Sequence, residues 1–489
     1  MNFKITLILL LTCFSVLSQN ITGKLTDKNT KQAIPFATIK TGDNSGVISN
    51  DEGYFTINSK NKTLTISCMG YQNKSLTIKE LIILNYNVEL EESINQLGEV
   101  FIRSKALNAD SIIAKTKSKL TSNYNHELNK YNIFRRITDK VNFKNLTFEI
   151  EKASHVKKTN LESANEKLKA LSKKIQESDM VNFTDFKGEY YALNKDSSKL
   201  VVQKATELLD SKNDFSIERI QEKTQNIILK YLDTTKTYKL KSGLFKIEDS
   251  LSLNDENQEN NKKKEYNVSH LNDGTRAFIK QHLFYEDSFL DELLNFNLYE
   301  FTYEDTAYNN NELTHIINFT PKKGKAKYTG QLFINDNTYA VTRVDYKYYK
   351  NRHGEKVNLK FILGIKYIEN LSRANILFEK DSTNMYYPKY LKYTSGSYFY
   401  VNRDIKFIEN SKARNKTGFS FKIEGDNRTT EELLFTSHIK MNLDDFKSIK
   451  QDSTVTYQQL NKFEKTMWED EQIIEPTQEM KSFKSDNKL

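Results

Sequence analysis

The chain has 489 residues, 37% of them hydrophobic and 28% charged, enough for about three ordinary domains and too long for a small disulfide scaffold. Its 4 prolines and 16 glycines exclude collagen-like and low-complexity chains, and 2 cysteines exclude a disulfide framework or a four-cysteine zinc site. The net charge of +9, from 73 basic and 64 acidic residues mixed along the chain, reads as a solvated lysine-rich surface with at most weak attraction to anionic membranes, and nucleic acid is not an expected partner.

Residues 1–18 read as a secretory signal. Lys4 supplies the positive start, residues 5–17 the apolar run, and Val16-Leu17-Ser18 the small-residue cleavage form before Gln19. The run is about 13 residues, shorter than the roughly 20 a spanning helix needs. Cys13 is preceded by Thr12 rather than the small residue that lipid-attachment sites prefer. No later stretch approaches a spanning length, and the alternating strands are too few and too unevenly spaced to favour an outer-membrane barrel. The expectation is export, to the periplasm or the outer-membrane surface, with soluble secretion as the alternative.

Residues 19–103 read as a β-sandwich. Strands are expected over 21–26, 35–40, 47–49, 54–57, 63–69, 74–78 and 86–90, separated by polar turns such as Asn50-Asp-Glu-Gly53. Leu64, Ile66 and Cys68 share one strand face, so Cys68 is expected as a buried, inert thiol.

The segments Asn20-Ile-Thr-Gly-Lys-Leu-Thr-Asp27, Ile34-Pro-Phe-Ala-Thr-Ile39, Asn50-Asp-Glu-Gly-Tyr-Phe55 and Ser67-Cys-Met-Gly-Tyr71 carry a resemblance. Together they resemble the carboxypeptidase-regulatory-like domain of Bacteroidetes proteins. The resemblance implies a transthyretin-like Greek-key sandwich of the kind found in front of TonB-dependent outer-membrane transporters. In metallocarboxypeptidases this module is the non-catalytic attachment, so the resemblance implies no peptidase.

Residues 104–295 read as a mixed α/β connecting region. Helices are expected over 103–125 with Asn108 as cap, over 159–178, over 215–232 and over 283–294. In the second, Leu161, Ala164, Leu168, Leu171 and Ile175 form a packing stripe. Strands are expected over 131–137 and 141–150, and the charged run 254–265 reads as an exposed loop.

Residues 296–470 read as a large, curved antiparallel sheet with one wet face and covering helices. Tyr299, Phe301 and Tyr303 alternate with polar residues, as do Phe419, Phe421 and Ile423. Residues 327–334 and 338–348 read as a hairpin across Asn335-Asp-Asn337. Val357, Leu359, Phe361, Leu363, Ile365 and Tyr367 read as one strand face. Residues 321–330, 356–367 and 468–483 resemble the body and closing segment of flavobacterial exported proteins that start with the same sandwich. At fold level the strand pattern is also similar to the curved half-barrels of lipoprotein carriers, which specifies no ligand. Residues 471–489 are expected as a tail.

No catalytic, cofactor-binding or metal-binding residue is singled out. The histidines His126, His155, His270, His282, His315, His353 and His438 fall in no zinc-peptidase spacing. There is no Gly-x-Ser-x-Gly elbow, phosphate loop or calcium loop. Carboxylate pairs such as Glu286-Asp287 and Asp291-Glu292 read as solvated helix faces. Tyr386, Tyr387, Tyr390, Tyr398 and Tyr400 read as core and cross-strand aromatics rather than a sugar- or peptide-stacking surface.

The overall reading is a mainly β, exported cell-envelope protein with a binding or assembly role, no enzyme activity and no cofactor. The sandwich would contact an envelope protein by an edge or face. A second reading is a periplasmic carrier or receptor of an apolar ligand such as lipid, which requires a large dry cavity. A third is a hydrolase of unrecognised type, which requires a cleft of converging titratable groups.

Overall fold

The computed structural model describes residues 20–42, 45–58, 63–93, 108–154, 156–178, 180–209, 226, 229–243, 245–253, 265–469 and 471–484. The expected signal over 1–18, most of the expected helix over 215–232 and nearly all of the expected loop over 254–265 lie outside these residues.

All seven sandwich strands are present. They are β1 (Asn20–Asp27), β2 (Thr38–Gly42), β3 (Ser45–Ile48), β4 (Tyr54–Asn58), β5 (Thr63–Ser67), β6 (Lys74–Thr77) and β7 (Asn87–Leu90). One sheet has the order β4-β1-β7 and the other β3-β2-β5-β6. The β1–β7 pair is parallel and the remaining pairs are antiparallel. Leu25, Ile39, Phe55, Ile57, Leu64 and Val88 fill the space between the sheets. A short helix the sequence reading does not foresee, α1 (Ile78–Ile83), joins β6 to β7.

Of the helix expected over 103–125, residues 103–107 lie outside the described residues; the rest is α2 (Ala109–Ser118) followed by a further helical turn at Leu120–Asn123, and Asn108 caps α2, accepting from the Asp110 and Ser111 amides. β8 (Asn129–Ala153) then runs 25 residues without a break. The sequence reading expects two strands here, over 131–137 and 141–150, with a gap at Thr138-Asp-Lys140. Asp139 instead lies in register with Thr429 on one side and Asn182 on the other, so the ladder continues through it. α3 (Lys158–Gln176) buries Ala164, Leu168 and Ile175 as the stripe predicts. β9 (Met180–Asn194), β10 (Ser197–Leu208), β11 (Thr237–Ser242), β12 (Phe245–Ser252), β13 (Glu265–Asn267) and α4 (Val268–His282) are elements the sequence reading does not anticipate. α5 (Phe289–Leu293) occupies only the end of the helix expected over 283–294.

β14 (Tyr299–Asn309) and β15 (Glu312–Pro321) lead to the expected hairpin, β16 (Tyr328–Asn335) and β17 (Val341–Tyr348). The face expected over 357–367 is not one strand. β18 (Lys356–Leu359) passes into one helical turn, α6 (Lys360–Leu363), and folds back as β19 (Ile365–Lys380). Gly364 makes the reversal with φ of 64°, a left-handed conformation that suits glycine. β20 (Tyr386–Glu409), β21 (Lys416–Lys440), α7 (Leu443–Ser448), β22 (Thr454–Thr456), β23 (Gln458–Leu460) and α8 (Gln478–Ser482) complete the order.

Fourteen strands form one sheet. Its main path is β14-β15-β16-β17-β19-β20-β21-β8-β9-β10-β23, with the β11–β12 hairpin attached to β20 through β11 and β18 attached to β19. Strands from both sides of residue 295 therefore share one sheet.

The middle of this sheet is covered on both faces. On β8, Tyr131 and Ile133 pack with α2, α4 and α5 on one side, while Phe134 faces the other. There Phe134 meets Ile48 of the sandwich and Trp468, Ile473, Ile474 and Met480 of the C-terminal segment. The expected single wet face holds only at the far end of the long strands. There α3 covers Phe148, Ile150 and Phe419 on one face, and Ser420, Lys422 and Glu424 lie on the other.

Candidate functional site

The sandwich has two opposed edges, and they do different things. β3 and β4 end their sheets on one side; β6 and β7 end them on the other. The first side is fastened to the large sheet. The second carries α1, and near its end the Gly70 amide also donates to the Tyr308 carbonyl of β14 at 3.0 Å.

The fastening is built from Ile34 to Thr56 and from the C-terminal segment. Asn50 Nδ2 donates to the Glu475 carbonyl at 3.0 Å, and the Thr56 hydroxyl meets the Glu475 carboxylate. Phe36 packs on Tyr390 with ring centroids 5.7 Å apart. Lys392 pairs with Asp51. The buried Lys389 donates to the Gly46 carbonyl at 3.0 Å and lies 3.8 Å from Glu379, which also pairs with Lys40 at 2.5 Å. Burial pushes the Lys389 ammonium below its ordinary value, against the pull of Glu379.

Beneath this layer Arg136 and Asp185 form a buried two-point pair, with distances of 3.0 and 2.8 Å. Arg136 also donates to the Ile474 carbonyl at 3.0 Å. The expected tail is therefore a strap: Ile473, Ile474 and Met480 are buried between sandwich and sheet. Two small cavities lie at this junction, of about 40 Å³ and about 30 Å³. They have room for water, not for a lipid, which would need several hundred Å³.

The outward edge is different in kind. Thr77 and Glu80 form a capping box that starts α1, and Leu81 anchors the helix in the sandwich core. Ile78 packs beside Leu81, and the other apolar residues face out. Ile83 is 77% exposed, and Ile82, Leu84 and Tyr86 are 48%, 39% and 40% exposed. Asn85 and Tyr86 hold left-handed φ values of 49° and 62°, which turn the chain back into β7. The ion pairs Lys28–Glu91 and Lys31–Glu89 run beside β7. Four neighbouring apolar side chains rimmed by charge make a local apolar patch rather than scattered exposure. The sequence reading expects no element over 79–85. The capping box at Thr77 and Glu80, followed by Leu81-Ile-Ile-Leu84, is the signal that marks α1.

The histidines do not converge. His126 and His282 are buried separately, and burial pushes them down to about 3 and about 4. His315 meets Asp336 at 2.8 Å, and His438 stacks on Tyr387 at 3.9 Å, 3.5 Å from Asp381. His270 is exposed, His353 sits in a turn, and His155 lies outside the described residues. Among the described residues no group of three histidine, cysteine or acidic side chains is placed to hold a metal ion. Glu286, Asp287 and Glu292 are exposed, and Asp291 is half-buried. Tyr386, Tyr387 and Tyr390 are buried in the core, whereas Tyr398 and Tyr400 lie at the far end of β20 beneath Lys366 and Lys360, Tyr398 half-buried and Tyr400 buried. Burial pushes the Cys68 thiol up to about 11.

Residues 21–102 match the family model of the CarboxypepD_reg-like domain, which fits the two-sheet sandwich observed there. No curated protein and no solved structure matches the chain.

Proposed function

We propose that this is an exported, non-enzymatic binding or assembly protein of the cell envelope, whose sandwich contacts a protein partner through its outward edge. The observation that carries the reading is the asymmetry of the sandwich. Its β3/β4 edge is fixed to the body by hydrogen bonds, ion pairs and the strap, while its β6/β7 edge presents Ile82, Ile83, Leu84 and Tyr86 to the outside. A rigid base and an apolar outward patch suit a partner groove or a partner strand laid along the edge. The signal-like residues 1–18 support the envelope setting.

The test is isolation of the tagged protein from gently solubilised native envelope, beside an Ile83→Asp, Tyr86→Ser variant. Stoichiometric recovery of an outer-membrane barrel or transporter with the unaltered chain, lost with the variant, is the expected result. Recovery alone from the soluble fraction would refute the reading.

A further inference from the structure

A second apolar surface lies at the opposite end of the large sheet, about 35 Å along β20 from Tyr390. Leu146, Ile423, Val401, Ile365 and Leu359 stand in register as one row across five strands. α3 covers the row only at its β8 end. Leu146 is 3% exposed and Leu359 39%, so cover is lost toward the edge strand β18. The row leads into the α6 turn, where Phe361 is 100% and Ile362 72% exposed.

The neighbouring β11–β12 hairpin brings more of the same. Phe245 stands in register with Ser242 and Ile405 on the same face, and Phe245 and Ile247 are about half exposed. Both hairpin ends meet the same short stretch of β20. The Asn402 amide donates to the Gly364 carbonyl at 2.8 Å, and Ser242 lies opposite Ile405. A Cβ on Gly364 would lie 2.0 Å from the Asn402 carbonyl, so the α6 turn is a fixed projection seated on the sheet.

Charge completes the pattern. Residues 356–368 contain Lys356, Lys360 and Lys366 and no carboxylate. Lys360 and Lys366 lie over the rings of Tyr400 and Tyr398, on the reverse face from the apolar row. The edge is thus apolar at its tip and on one side, and on the other it carries three lysines, with Glu424 and Asp426 further in on the same face and Asp426 paired with Lys144. It is a convex tip rather than a flat patch. A protein partner would need a matching pocket and several hundred Å² of contact, whereas a bilayer boundary accepts a tip of any outline.

We propose that this edge docks on an anionic phospholipid bilayer, with Phe361 and Ile362 entering the headgroup boundary and Lys356, Lys360 and Lys366 meeting lipid phosphates. The surface is separate from the outward edge of the sandwich, so the inference stands whether or not that edge binds a protein.

The test is flotation of the full chain with vesicles of phosphatidylcholine containing about one-third phosphatidylglycerol, and with phosphatidylcholine alone. Salt-sensitive binding to the anionic vesicles is expected, with about a hundredfold loss of partitioning for Phe361→Ser, Ile362→Ser. Both side chains are exposed, so an unchanged circular dichroism spectrum is expected for the variant. A Phe361→Trp variant gives a direct reading of depth, because the sole native tryptophan, Trp468, is buried. The emission of the introduced indole should move to the blue on anionic vesicles and be quenched by brominated lipid. An emission from the Phe361→Trp variant that anionic vesicles leave unmoved would overturn the proposal. So would a dimer in solution that the Ser variant abolishes, which would assign the tip to a second copy of the chain.

Discussion

Replacing Asp185 by Asn tests whether the Arg136 pair organises the layer between sandwich and sheet. The two side chains are 3% and 1% exposed, and they meet through two hydrogen bonds. Asp185→Asn leaves a guanidinium charge buried against Phe134. Breaking one partner of such a pair costs about 3–5 kcal/mol. The amide oxygen can still accept one bond, and Glu432 and Glu475 supply some compensating charge, which places the expectation at the lower end, about 3 kcal/mol. Trp468 is the only tryptophan and packs edge-on against Phe134 at 5.2 Å, so its fluorescence reports this layer during urea unfolding. The expected result is a lower midpoint at unchanged slope. The Arg136→Met, Asp185→Leu double variant should recover most of the loss, because no buried charge is left without a partner. A midpoint shift worth less than about 1 kcal/mol, or equal losses in the single and double variants, would refute the reasoning.

Further outcomes follow from the same structure. His126 and His282 titrate below their ordinary value, so above pH 6.5 they are neutral folded or unfolded; as pH falls toward about 4 the unfolded chain gains protons the native state refuses. Stability should then drop by up to about 1.4 kcal/mol per pH unit for each histidine, and His126→Phe should flatten that slope in acid titrations of unfolding. Neither ring nitrogen of His126 has a partner among the described residues, so the same variant should also be more stable at pH 7, by about 1–3 kcal/mol. Gly53→Ala places a Cβ 2.5 Å from the Leu25 carbonyl at φ of +79° and should lower the sandwich's thermal midpoint, at a cost of about 1–3 kcal/mol. Leu168→Ala should cost about 2–5 kcal/mol and raise hydrogen exchange in α3 and the facing part of β8, with the sandwich unaffected.

Local chemistry made much of the architecture legible. The seven sandwich strands are short, alternate cleanly and end in turns that only a few residue types adopt, as at Gly53. Asn108 could be read as a cap because capping is a contact with the next two or three residues. The α3 stripe could be read because 3.6-residue periodicity records burial on one side. These are all interactions within a few positions of the chain.

The errors share one cause as well. The polar Thr138-Asp-Lys140 breaks the apolar alternation, yet pairing with Thr429, Asn182 and their neighbours on both sides carries β8 through it. Residues 357–367 alternate like a strand, yet the left-handed conformation of Gly364 folds them into a hairpin whose partners are its own residues. The C-terminal segment looks like a polar tail because its few apolar residues, Ile473, Ile474 and Met480, are useful only against Phe134 and Ile48.

The sequence by itself determined the sandwich, the main helix stripe and the predominance of β-structure, because alternation, periodicity and turn chemistry are local. The tertiary structure alone decided that one sheet unites strands from residue 129 to 460. It also decided that the sandwich is held to that sheet chiefly by its β3/β4 edge and the C-terminal strap. Consequently Ile83 and Phe361 are left outside while Ile48 and Phe134 are buried. All four are apolar, and only long-range packing determines which of them find cover.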